Sequence, residues 1–190
     1  MSADDLFGLL DLFGSVGVHV WIDGGWAVDA ALGRETRPHA DLDIVIEERQ
    51  RDAAVTALRN RGYVAVDRDD TRPWNFVLGD RDGHEVDFHV IRLDEDGNGV
   101  YGPAENRDLW PASALDAWGT IAGRRVRSTS PRWLVASHTG YPLTDKDVAD
   151  VMALCEQFGI EVPSEYARLR DGSGLAAHPG MAHVPHSGGA

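Results

Sequence analysis

The sequence is poor in cysteine, in lysine and in positive charge generally. Its one cysteine, Cys155, excludes an internal disulfide and a cysteine-built zinc centre. It sits on an apolar helical stripe, so it reads as a core thiol rather than a nucleophile. Lysine occurs once, at Lys146, and 18 Lys and Arg face 31 Asp and Glu, for a formal net charge of -13. Such a chain lacks the basic surface that displaces counterions from a phosphate backbone, so no nucleic-acid partner is expected. A polycationic small molecule suits it better, although a plain solvated acidic surface accounts for most of these charges. No apolar run approaches the roughly 18 residues of a membrane span, and no basic-then-apolar leader opens the chain. A cytoplasmic protein with no membrane contact is the expectation.

The 190 residues suffice for one domain with a real core and a small helical appendage. Ser2 with Asp5 predicts a capped helix through Leu6, Leu9, Leu10 and Phe13. Val18 to Ile22 predict a strand, Asp23-Gly24-Gly25 a turn, and Trp26 to Leu32 a short helix closed by Gly33. Asp41 to Glu47 alternate as a strand, Glu48 to Arg61 as an amphipathic helix, and Tyr63 to Val66 as another strand. Trp74 to Leu78 and Glu85 to Ile91 flank the turn Asp80-Arg81-Asp82-Gly83, which predicts an antiparallel hairpin. Asp94 to Arg107 read as a surface loop, and Trp118 to Ile121 with Arg125 to Ser128 as a second hairpin. Ser130 and Pro131 start a helix to about Thr139, Thr144 starts another reaching Phe158, and Pro163 to Arg170 add a last helical turn. From Asp171 onward Gly, Ala, Pro, Ser and His predominate, which predicts a disordered tail. The expected division is a core over residues 1–128, a helical portion over 129–170 packed on it, and the tail over 171–190.

Three features carry chemistry. Strand alternation puts Asp41 and Asp43 on one face, opposite Leu42, Ile44 and Ile46. Their Cα atoms then lie roughly 6 to 7 Å apart, close enough to converge on one divalent ion. Glu85, Asp87 and His89 share a face of a later strand, so Asp87 can supply a third carboxylate. A cage of that kind, for one or two ions about 3.5 to 4 Å apart, serves in-line phosphoryl or nucleotidyl displacement. Upstream, Gly24-Gly25 between a strand and a helix is a device for bringing backbone N–H groups to phosphate. Each feature also has a plainer reading. A D-x-D pair can line the solvated face of an edge strand, and a glycine pair can serve only a tight turn.

The run WIDGGWAVDAALGRETRPHADLDIVI, followed by a helix, a hairpin and EVDFH, resembles the small antibiotic nucleotidyltransferases of the DNA polymerase β-like superfamily. It is most similar to lincosamide nucleotidyltransferases, with aminoglycoside 2''-nucleotidyltransferases near behind. The likeness spans most of residues 4 to 158, because His138-Thr139-Gly140-Tyr141 and Leu143-Thr144 also fit the lincosamide group. It implies a mixed α/β (α+β) fold, a nucleotidyltransferase-type sheet flanked by helices with a small C-terminal helical portion. It also implies transfer of AMP from ATP to an antibiotic hydroxyl, with Mg²⁺ as cofactor. By the same resemblance Gly24 and Gly25 hold the triphosphate, and Asp41 and Asp43 bind Mg²⁺. Asp87 helps hold a metal or takes the acceptor proton.

Around this motif, Arg37 and His39 are candidates for phosphate contact, with Arg37 equally placed to brace the Asp-rich loop. Tyr141 can stack on adenine or pack a helix end. His89 and Glu85 are candidates on the acceptor side, with a structural role open for His89. Trp74 and Trp110 can wall a sugar or belong to the core. Lys146 receives no role. A different acceptor, such as a protein, a tRNA end or a metabolite, and an idle nucleotide-binding module stay as alternatives. A homodimer is compatible with either.

Overall fold

The computed structural model describes residues 1–139 and 142–170. Tyr141 and the expected tail lie outside the described residues. Helix α1 (Ala3–Ser15) is capped as its sequence predicts: Ser2 Oγ accepts from Asp5 N at 3.2 Å and Asp5 accepts from Ser2 N at 2.8 Å. Val18 N then donates to Phe13 O at 3.0 Å, closing the helix end. That bond commits the backbone of Val18 to α1, so strand β1 is only Trp21–Ile22 and not Val18 to Ile22. Helix α2 spans Gly24–Leu32, so the glycine pair forms its first turn instead of a turn preceding it. Strand β2 (Asp41–Glu47) leads through one 3₁₀ turn, Glu48–Gln50, into α3 (Arg51–Arg59), which is shorter than the expected 48–61.

Strands β3 (Val64–Val66), β4 (Asn75–Gly79) and β5 (Glu85–Leu93) follow. The expected surface loop contains β6 (Gly99–Tyr101) and a 3₁₀ turn, with β7 (Leu109–Trp110) just beyond. Strand β5 outruns its partner β4, and its free end, Ile91 to Leu93, pairs with β6. Gly99 permits this approach, because a Cβ there would lie 2.7 Å from Ile91 Cδ1. Strands β8 (Ala117–Ile121) and β9 (Arg124–Ser128) make the second hairpin, followed by α4 (Pro131–Ser137), α5 (Asp145–Phe158) and α6 (Ser164–Arg170).

The main sheet runs β3-β4-β5-β2-β1-β9-β8. The second hairpin is therefore not separate: β9 lies parallel to β1 through Ile22 and Ser128. At the centre β2 and β5 are parallel, with Asp41 beside Glu85, Asp43 beside Asp87 and Val45 beside His89.

One face of the sheet is apolar at its centre. Leu42, Ile44 and Ile46 of β2 and Val86, Phe88 and Val90 of β5 are buried in one cluster with Leu6, Trp26, Leu58, Leu134, Val151 and Tyr166 of the helices. Cys155 joins them, buried as expected. The other face is divided along the strands. Its far end carries a second cluster of Trp21, Val45, Ile91, Trp110 and Leu115, each large side chain contributing roughly 1.5–3 kcal/mol by leaving water. Its near end carries the carboxylates.

Helix α2 packs so closely on β8 that a Cβ on Gly119 would overlap the backbone of Ala30. Gly119→Ala should cost at least about 2 kcal/mol in urea unfolding, since neither backbone can yield. Gly8→Ala, in open space mid-helix, should gain about 0.5–1 kcal/mol. Equal effects of the two would refute this packing.

Candidate active site

The parallel register of β2 and β5 places the Asp43 and Asp87 side chains next to each other on the divided face. Asp23, at the end of β1, extends the row, its N–H donating to Asp43 O at 2.9 Å. A carboxylate oxygen from each of Asp43 and Asp87 and a ring nitrogen of His89 lie within 4.8 Å of one another. Asp41 stands at the exposed start of β2, outside that converging trio. Burial, reinforced by the Asp41 charge and then by Asp87 and Asp23, pushes the Asp43 carboxyl up to about 7, with His89 opposing. Burial also raises Asp87, against His89 and with help from Asp70, Asp41 and Asp23. Asp87 Oδ1 is buried with no hydrogen-bond partner among the described residues. An orphaned oxygen and crowded, half-buried carboxylates are what a divalent cation relieves, so the donor set fits one.

Gly24 opens α2 directly against this cluster. Its φ of 56° suits glycine, and a Cβ there would overlap the Asp43 carboxylate. Asp23 stands at the N-cap but makes no capping hydrogen bond. Its carboxylate accepts instead from the buried Thr129 Oγ1 at 2.6 Å. The first-turn N–H groups of α2 are thus left for an anion, beside the carboxylate row.

Arg37 and His39 lie under Gly25, where a Cβ would sit 2.7 Å from His39 Nδ1. They form a brace between elements. Arg37 Nη2 pairs with Asp150 of α5 at 3.0 Å, and Arg37 Nη1 donates to His39 Nδ1 at 3.1 Å. Because a guanidinium only donates, His39 carries its proton on Nε2 and gives that bond to Asp29 of α2 at 2.6 Å. Asp29 also accepts from Thr36 N at 3.0 Å. Sequence reasoning missed Asp23, Asp29, Thr129 and Asp150. Two of these had a signal: Asp29 shares the buried face of α2 with Trp26 and Ala30, and Asp150 adjoins Val151 and Leu154 on the apolar stripe of α5. An acid on a buried stripe requires a partner.

On the acceptor side, Glu85 is held by Arg68 through bonds of 2.9 and 2.7 Å. His89 Nδ1 meets Tyr101 Oη at 3.3 Å. A cleft of about 210 Å³ beside Asp87 is lined by Arg68, Asp70, Thr71, Asn75 and Phe76. Trp74 packs partly buried against the main core, and Trp110 is buried in the second cluster.

A family model described as aminoglycoside-2''-adenylyltransferase matches residues 5–154. The chain belongs to this family. A lincosamide resistance protein of Staphylococcus haemolyticus is 28% identical over 154 residues, 81% of this chain and 94% of its own. A 2''-aminoglycoside nucleotidyltransferase of Escherichia coli is 53% identical over a 32-residue stretch, 17% of this chain and 18% of its own. Among solved structures, a lincomycin-bound lincosamide antibiotic adenylyltransferase superposes with a TM-score of 0.72 at 27% identity, covering 81% of this chain and 96% of its own. An ANT(2'')-Ia complex with adenylyl-2''-tobramycin gives a TM-score of 0.64 at 23% identity, over 88% and 94% of the two chains, which speaks for the fold. As a member of the family the chain is an antibiotic adenylyltransferase on a mixed α/β nucleotidyltransferase fold, in agreement with the resemblance. Among the described residues no helix is long and apolar enough to cross a membrane.

The Asp43 environment predicts a pH signature. Unfolded, its carboxyl ionises near about 3.9, whereas folded it keeps its proton to about 7. The native state binds the extra proton between those values, so Asp43 erodes stability as pH rises through that window. Urea unfolding without divalent ions should find Asp43→Asn more stable than the parent at pH 8 by on the order of 2 kcal/mol, with the gap closing near pH 4. A gap independent of pH would refute the assignment.

Proposed function

We propose that this enzyme transfers AMP from ATP to a hydroxyl of a lincosamide or aminoglycoside antibiotic, with Mg²⁺, and so confers resistance. The observation that carries this is the contact of the first turn of α2, through Gly24, with Asp43, which stands beside Asp87. A phosphate-binding helix start and an ion-binding carboxylate pair meet at one place. The lincosamide arm is supported by a relative matched over 94% of its length, the aminoglycoside arm by the family and by a net charge of -13.

In this reading the first-turn N–H groups at Gly24 and Gly25 hold the triphosphate, aided by the helix dipole. Asp43 and Asp87 would hold the ion, with the Asp41 charge close by at the exposed start of β2. A bound divalent ion neutralises phosphate charge and acidifies the acceptor hydroxyl. The acceptor oxygen attacks the α-phosphorus, the bond to the β-phosphate oxygen breaks, and pyrophosphate leaves. Asp87, which lines the cleft, receives the hydroxyl proton. Arg37 and His39 brace the loop beneath Gly25, so their effect on phosphate is one of position.

Purified protein with ATP and Mg²⁺ should release pyrophosphate when lincomycin or kanamycin is added, and Asp87→Asn should lower kcat roughly 10²–10⁴-fold. Silence across both antibiotic panels would overturn the reading. AMP appearing on protein or RNA would assign a different acceptor, and tight ATP binding without turnover would assign an idle module.

A further inference from the structure

His89 stands at the end of a chain of hydrogen bonds whose direction is set by chemistry. The Asp70 carboxylate only accepts, and Asn75 Nδ2 lies 3.1 Å from its Oδ2. That turns Asn75 Oδ1, which also only accepts, toward Tyr101, whose hydroxyl donates its one proton to it at 2.7 Å. Toward His89 Nδ1, at 3.3 Å, the Tyr101 oxygen has only lone pairs left. Nδ1 must therefore be the donor, and the neutral ring keeps its lone pair on Nε2. The ring is also confined by Tyr101 and Trp110, with centroids at 6.0 and 5.9 Å. A metal-binding histidine is prepared in this way elsewhere, by a partner that takes its other N–H and fixes tautomer and orientation.

The free nitrogen belongs to a side chain already within 4.8 Å of the Asp43 and Asp87 oxygens. We propose that His89, through Nε2, is a nitrogen ligand of the ion held by Asp43 and Asp87, with Tyr101 as its positioning residue. The site then binds Mn²⁺ more tightly than Mg²⁺, because imidazole suits first-row transition ions while Mg²⁺ favours an oxygen shell. This inference rests on the metal-dependent transfer proposed above and assigns the ion preference and a nitrogen ligand of that site.

The test uses the full chain with Mn²⁺ alone, titrated by electron paramagnetic resonance, with pulsed measurements for ¹⁴N coupling. The parent protein should show imidazole ¹⁴N coupling and bind Mn²⁺ at least about tenfold more tightly than Mg²⁺ measured by competition. His89→Gln should lose the coupling and about tenfold in Mn²⁺ affinity, with Mg²⁺ affinity changing less than twofold. Tyr101→Phe, which removes only a hydroxyl, should weaken Mn²⁺ about tenfold. If His89→Gln does not fold, the parent signal and Tyr101→Phe still decide. Bound Mn²⁺ without ¹⁴N coupling, coupling that survives in His89→Gln, or no preference over Mg²⁺ would overturn the proposal. Pyrophosphate release on the same preparations separates the two readings. Turnover without coupling removes His89 alone, and coupling without turnover removes the transfer while the ion site stands.

Discussion

Two carboxylates held side by side on adjacent parallel strands repel each other, and the register of β2 with β5 leaves Asp43 and Asp87 no way apart. The strands cannot slip to relieve them. A slip of one residue would drive the buried set of the strand that moved, Leu42 and Ile44 of β2 or Val86 and Phe88 of β5, out of the core and onto the carboxylate face. Apolar burial on one side of the sheet therefore sustains an unfavourable charge cluster on the other. Burial and this crowding together raise both carboxyls, and an oxygen of Asp87 stays without a partner among the described residues.

The same economy shapes the start of α2. An N-cap aspartate would ordinarily turn its oxygen onto the first-turn N–H groups. Here Thr129, which follows β9, takes the Asp23 carboxylate, and the helix end stays open. Beneath it, the ion pair of Arg37 with Asp150 and the bond of His39 to Asp29 join the loop before β2 to α2 and α5. Buried ionic groups of this kind add little net stability but cost heavily when one partner is lost, so the brace holds a geometry more than it holds the fold. The helices after β9 therefore contribute to the site's rigidity as well as to the core.

Much of this was legible before any coordinates. The alternation of β2 announced Asp41 and Asp43 on one face, that of β5 announced Asp87 and His89, and the cap at Ser2 and Asp5 formed as its pattern required. Local rules failed where a distant bond took a local group. The start of β1 was lost to the closing bond of α1, and β6 forms in a Gly- and Asp-rich stretch only because β5 overhangs β4. Val45 shares a face with Asp43 yet is fully buried, since Trp21, Ile91 and Trp110 arrive from other strands to cover it.

What the sequence determined by itself was the inventory and the faces: a glycine pair between a strand and a helix, three acids on two strands, and a family likeness that named the reaction. Backbone sterics and strand periodicity act between near neighbours, so those features follow from residues close together in the chain. Which groups meet was decided by the tertiary structure. The parallel register brought Asp43 to Asp87, Asp41 was left at the exposed strand start, and Asp70, Asn75 and Tyr101 were aligned behind His89. Those contacts join positions that no local periodicity relates, and they form only when burial of the common core brings the strands together.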